Sequence, residues 1–103
     1  MKIAESDWKI YKPLWELAQE RFSQRVLDEC RGICDDESRS AEERHWALSD
    51  LLRERDKEMV RIFDSLRRST AVLCLISMRS HGLVTDEEMS AFSPELQQRV
   101  SLE

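Results

Sequence analysis

From Ser40 to about Ser80 the chain contains neither glycine nor proline, and its apolar residues return at alternating steps of four and three. Leu48, Leu52, Arg55, Met59, Ile62, Leu66, Ser69, Leu73 and Ile76 trace the seam of a heptad repeat, and only Arg55 and Ser69 break the apolar rule. The spacing predicts one long amphipathic helix over residues 40–81. Its start is written as a capping box, in which the Ser40 hydroxyl accepts the Glu43 amide and the Glu43 carboxylate accepts the Ser40 amide. Its stop is Gly82, which can take the left-handed conformation and return Leu83 to the last turn.

A helix of about 40 residues would be a rod on the order of 60 Å long, whereas a compact chain of this size has a radius of gyration of about 13 Å. Either the helix bends or another chain covers it. Ala71-Val72-Leu73-Cys74-Leu75-Ile76 is apolar on every face, more than one neighbouring helix can bury, so the sequence favours a second copy. A buried strand is the competing reading of that run, but it sits in heptad register and lacks turn signals at its ends.

Composition agrees with long helices. Charged residues make up 36% of the 103 and only two Gly and two Pro occur, which points to an all-α class in one domain. A net charge of −5 opposes general nucleic-acid binding, which draws on excess Lys and Arg to release counterions. No hydrophobic stretch approaches the length of a membrane span, and Met1–Asp7 has no apolar signal region, so the expectation is a cytoplasmic protein without membrane contact. Three cysteines, an odd number, read as free thiols.

Ahead of the long helix, residues 1–12 read as an aromatic flap carrying Trp8, Ile10 and Tyr11. Pro13 is best placed in the first turn of a first helix over residues 13–34, whose apolar residues from Leu14 to Ile33 again recur at three and four. The polar linker Asp35–Arg39 joins the two helices into an antiparallel hairpin with Cys30 near His45, Phe22 near Leu52 and Trp15 near Ile62. After Gly82, Thr85 to Glu88 is a second capping box, and Ser93-Pro94-Glu95 opens another turn, giving short helices over residues 85–101. The stretch Gly82-Leu83-Val84-Thr85-Asp86-Glu87-Glu88-Met89 resembles SHOCT-type short carboxy-terminal helical modules, which implies a part in oligomerisation. Capping chemistry alone accounts for the same eight residues.

Chemistry-bearing clusters are few. Cys30 and Cys34 share a helical face, and the hairpin would bring His45 opposite them with Glu42 alongside, a donor set suited to tetrahedral zinc. Glu42-x-x-His45 also matches half of a carboxylate-bridged di-iron signature, with Glu20 or Glu29 supplying further oxygens in a dimer. Core packing and the preference for acids in a first turn explain these residues more simply. Cys74 lies within the apolar run, where a thiol is inert, and there is no Gly-rich phosphate loop.

The sequence therefore predicts an all-α antiparallel hairpin with one helix of about 40 residues and short carboxy-terminal helices, dimerising into a bundle. Its work would be interaction or regulation, with no catalysis and no cofactor. The expected interface is Leu52, Arg55, Met59, Ile62, Leu66, Leu73 and Ile76, where Arg55 sets register by pairing with Asp28, Glu20 or a partner chain's Glu58. A metal-binding bundle using Cys30, Cys34, Glu42 and His45 is the alternative.

Overall fold

The computed structural model describes residues 3–64 and 66–101, and every regular element among them is helical. Helix α1 runs from Glu5 to Cys34, α2 from Ala41 to Ile62, α3 from Ala71 to Ser80, α4 from Asp86 to Met89 and α5 from Pro94 to Ser101; a 3-10 turn at Arg68–Thr70 precedes α3. The molecule measures 52 × 23 × 23 Å with a radius of gyration of 16.7 Å, well above the roughly 13 Å of a compact chain this long.

The expected flap and the first helix are one element. Pro13 lies inside α1 and deprives the Lys9 carbonyl of its usual amide donor, but both residues are exposed, so that carbonyl is open to water. What keeps the first turns helical is their other face. Asp7 is 3% exposed, and its carboxylate accepts the Ser93 amide at 2.8 Å and the Ser93 hydroxyl at 2.6 Å. Ser93 in turn caps α5 by accepting the Leu96 amide at 3.3 Å, so a single carboxylate joins the start of the chain to its last helix. Trp8 stacks on the buried Tyr11 at 5.7 Å, and the Arg68 guanidinium lies 5.9 Å from the Trp8 ring while pairing with Glu5 at 2.8 Å.

The 40-residue helix is the larger correction. Its capping box at Ser40 and Glu43 is present, but α2 stops at Ile62, and the longest helix is the 30-residue α1. Phe63 leaves the helical region at φ −116°, ψ 48°, and Arg67 is fully extended. The reason is burial. A straight rod would meet α1 along one side and leave the rest of the all-round apolar segment in water, whereas the break turns α3 back alongside α2 and against the first half of α1. Ala71, Cys74, Leu75 and Met78 are then buried with Tyr11, Ala18 and Phe22. Phe63 becomes a central core residue, edge-on to Trp15 at 6.2 Å and to Phe22 at 6.3 Å. In place of the main-chain amide it would have met in a continuous helix, the Ile62 carbonyl accepts the Cys74 thiol at 3.0 Å.

The carboxy-terminal turns follow their capping signals. Gly82 has φ 69°, and the Leu83 amide returns to the Met78 carbonyl at 2.9 Å, closing α3 as expected. A Cβ at Gly82 would stand 3.3 Å from the Arg25 guanidinium, which donates to the carbonyls of His81 and Gly82 at 2.5 and 2.6 Å. One turn earlier on α1, Arg21 holds Glu88 through two bonds of 2.7 and 2.8 Å and also donates to the Leu83 carbonyl. Glu88 completes the Thr85 capping box, so α4 is locked to α1 by the residue that caps it. Met89, Phe92, Leu96 and Val100 then close the core over α3.

The Arg21 guanidinium, with the Thr85 amide, holds the Glu88 carboxyl down at about 2. Because this lies below the ordinary 4.5, the stabilisation is complete above about pH 4.5 and is lost as pH falls towards 2. Glu88→Gln keeps the capping geometry and removes the charge pair. It should lower stability in urea denaturation by about 1–2 kcal/mol at pH 7, the value being held down by the pair's partial exposure, and the deficit should shrink steadily below pH 4.5.

Candidate interaction surface

The body just described ends near Arg25. Beyond it, the second half of α1 and most of α2 continue as a two-helix arm. From residue 23 to residue 61 no side chain is buried, although Val26, Ile33, Leu48 and Leu51 are half covered along the seam between the helices. A pair of helices has only one shared face, so apolar residues off that face remain in water. Leu27 is 54% exposed, Trp46 58% and Val60 64%.

Hydrogen-bonded charges fix the arm's register. The Arg55 guanidinium grips Glu29 across the hairpin at 2.9 and 3.0 Å and reaches Glu58 of its own helix at 3.3 Å. This holds the Glu29 carboxyl below its ordinary range. Arg55 pairs with Glu29 and with the Glu58 of its own chain rather than with Asp28, Glu20 or a partner chain's Glu58. At the tip, Arg44 donates to the Cys34 carbonyl, and Asp36 accepts both the amide and the hydroxyl of Ser38, which closes the turn. The helices are offset from the expected pairing, since Phe22 lies against Phe63 rather than near Leu52. Phe63 has left the helix, and both Trp15 and Phe22 pack on it.

The seven expected interface residues divide into three groups. Ile62 is 2% exposed, and Met59, Leu66 and Ile76 pack against the core, so these four are engaged within the chain. Arg55 is paired within the chain, with Glu29 and Glu58. Leu52 and Leu73 are outward, at 39% and 70% exposed. Leu73 also borders a cleft between the end of α2 and α3, with Arg61, Asp64, Thr70 and Ser77.

The metal alternative finds no geometry. Cys34, Glu42 and His45 are exposed, Cys30 is half-buried, and the described residues contain no group of three His, Cys, Asp or Glu side chains placed to hold an ion. His45 instead lies beside Trp46, with ring centroids 5.0 Å apart. Cys74 is not set up as a nucleophile. Burial pushes the Cys74 thiol up, and the neighbouring Tyr11 phenol is pushed up by the same cause. The Tyr11 hydroxyl and the Trp15 indole N–H lie beside that thiol without reaching hydrogen-bond geometry.

The residues that organise the body, Asp7, Arg21 and Arg25, carry no signal in the sequence. Their partners stand 56 to 86 positions away, and nothing in local spacing distinguishes them from other charges on α1. Among the described residues no helix is long and apolar enough to cross a membrane. Comparison with protein-family models, with curated proteins and with solved structures found no match.

A double-mutant cycle of Arg55→Ala and Glu29→Ala should give a coupling of about 0.5–1 kcal/mol in thermal or chemical unfolding, as for a bidentate but partly exposed pair. A coupling of zero would mean that the pair does not set the arm's register.

Proposed function

We propose that this chain is a small cytoplasmic interaction module that self-associates and has no catalytic activity. The observation that carries the reading is the arm: nearly 40 consecutive residues, from 23 to 61, in which apolar side chains recur and none is buried. A two-helix arm with a single seam gains stability when other helices cover its outer faces, and a second copy supplies matching faces with no further sequence. Leu73 supports the same reading from the body. It is the most exposed large apolar side chain among the described residues, and it continues the heptad seam of α2. Mixed charge along the arm, with Arg53, Asp50, Lys57 and Glu54 paired within α2, suits a contact whose rim is polar and whose centre is apolar.

Native mass spectrometry of the full chain at increasing concentration is the direct test. The expected result is a metal-free dimer that Leu73→Glu weakens by tenfold or more while leaving the helical content of the chain intact, because Leu73 makes little use of the core. A chain that stays monomeric at high concentration, or a dimer indifferent to Leu73→Glu, would contradict the reading.

A further inference from the structure

Two of the polar grips on the body bracket an apolar groove. Asp7 holds Ser93 and Arg21 holds Glu88, so the first half of α1 and the stretch from Glu88 to Ser93 run past each other in opposite directions, pinned at both ends. Between the grips the two walls leave a cleft of about 240 Å³, lined by Ile10, Pro13, Leu14, Leu17, Glu88 and Ala91. Leu14 is buried, whereas Leu17 is 42% exposed and Pro13 and Ala91 are open to solvent. Five of the six lining residues are therefore apolar, on a surface whose neighbours are charged.

The size and chemistry of the groove narrow what it can take. Sites for small molecules enclose roughly 300–1,000 Å³ and offer several convergent polar groups. This cleft is smaller, and the one ionisable group lining it, Glu88, is already engaged by Arg21 and by the Thr85 amide. It suits one or two large apolar side chains, the anchors of a protein contact. Its rim adds a sign. Glu16 stands three residues after Pro13, Glu20 three after Leu17, and Glu87 beside Glu88, so helical spacing sets all three around the opening. They are exposed, and among the described residues none of them is paired with a cation. Lys9, four residues before Pro13, is the cation beside the groove, and Arg21 is spent on Glu88, which leaves the rim negative.

We propose that this groove docks a cationic amphipathic helix of another protein. Apolar side chains one turn apart on that helix enter between Leu17 and Ala91, and its Lys or Arg side chains meet Glu16, Glu20 and Glu87. The site is preformed, because the grips at its two ends fix the separation of the walls before any partner arrives. It uses none of the residues on which the self-association proposed above rests, and the two stand or fall separately.

The probe is a synthetic helical peptide of about 18 residues, five turns, with Leu along one face and Lys elsewhere. It is titrated into the full-length chain labelled with nitrogen-15 and followed by amide chemical shifts. The expected result is a set of shifts concentrated in residues 10–17 and 88–92, with an affinity that falls by about tenfold or more between roughly 0.05 and 0.5 M salt. A peptide with Glu in place of every Lys should bind at least about tenfold more weakly. Leu17→Asp, at an exposed position, should weaken the Lys peptide by about tenfold while leaving the circular dichroism of the chain unchanged. The charge reversals Glu16→Lys and Glu20→Lys together should cost a similar factor, whereas Glu37→Lys and Glu42→Lys on the arm, which change the net charge equally, should cost little. No binding, shifts centred outside the groove, equal affinity for the Lys and Glu peptides, or an equal loss from the arm substitutions would each overturn the proposal.

Discussion

The structure depends on finding cover for the segment from Ala71 to Met78, which is apolar around its whole circumference. One neighbouring helix cannot bury such a segment, and a straight continuation of α2 would offer it α1 along one side only. The chain meets the constraint by leaving the helix at Phe63, laying α3 against the first half of α1, and closing the remaining side with Leu83, Met89, Phe92 and Leu96. The other main features follow from that placement. α1 must be long enough to serve both the body and the hairpin, which is why it continues through Pro13, and its arginines at positions 21 and 25 meet the turn after α3.

Those arginines show how polar groups fix a helical body of this size. Hydrophobic burial alone would let α3 slide or rotate on α1, because its apolar residues face all directions. Arg25 on the carbonyls of His81 and Gly82 sets the height of α3, Arg21 on Glu88 sets the following turn, and Asp7 on Ser93 sets the last helix. Three side chains on one helix thus place three successive elements. The arm, by contrast, has one charge pair across the hairpin, Arg55 on Glu29, with Arg44 on the Cys34 carbonyl at its tip, and no buried residue between positions 23 and 61.

Local chemistry was legible in the sequence where it is short in range. The capping boxes at Ser40 and Thr85, the left-handed glycine after α3, the α5 start at Ser93-Pro94, the linker at Asp35–Arg39 and the all-helical class were all readable from spacing and residue type. The break at Phe63 was not, because the local signals there favour helix and the decision is made by burial against Trp15 and Phe22, far back along the chain on α1. Pro13 misled in the opposite direction: a local helix-breaking signal was overridden by the tertiary contacts of Asp7 and Tyr11. Of the expected interface, Leu52 and Leu73 remain outward, while Met59, Ile62, Leu66 and Ile76 serve the chain's own core. Their heptad spacing marks them as apolar without saying which helix they meet. Cys30, Cys34 and His45 were grouped by a hairpin drawn in an idealised register, and the structure does not gather them.

A body built on α1 and α3 and a thin arm built on α1 and α2 should differ in stability along a single helix. Native-state hydrogen exchange at low protein concentration measures that difference residue by residue. The slowest amides should lie in residues 11–22 and 71–84, with those from 24 to 58 opening at far lower free energy although they belong to equally regular helices. Uniform protection along α1, or slowest exchange in the arm, would show that α3 is not what holds the molecule together.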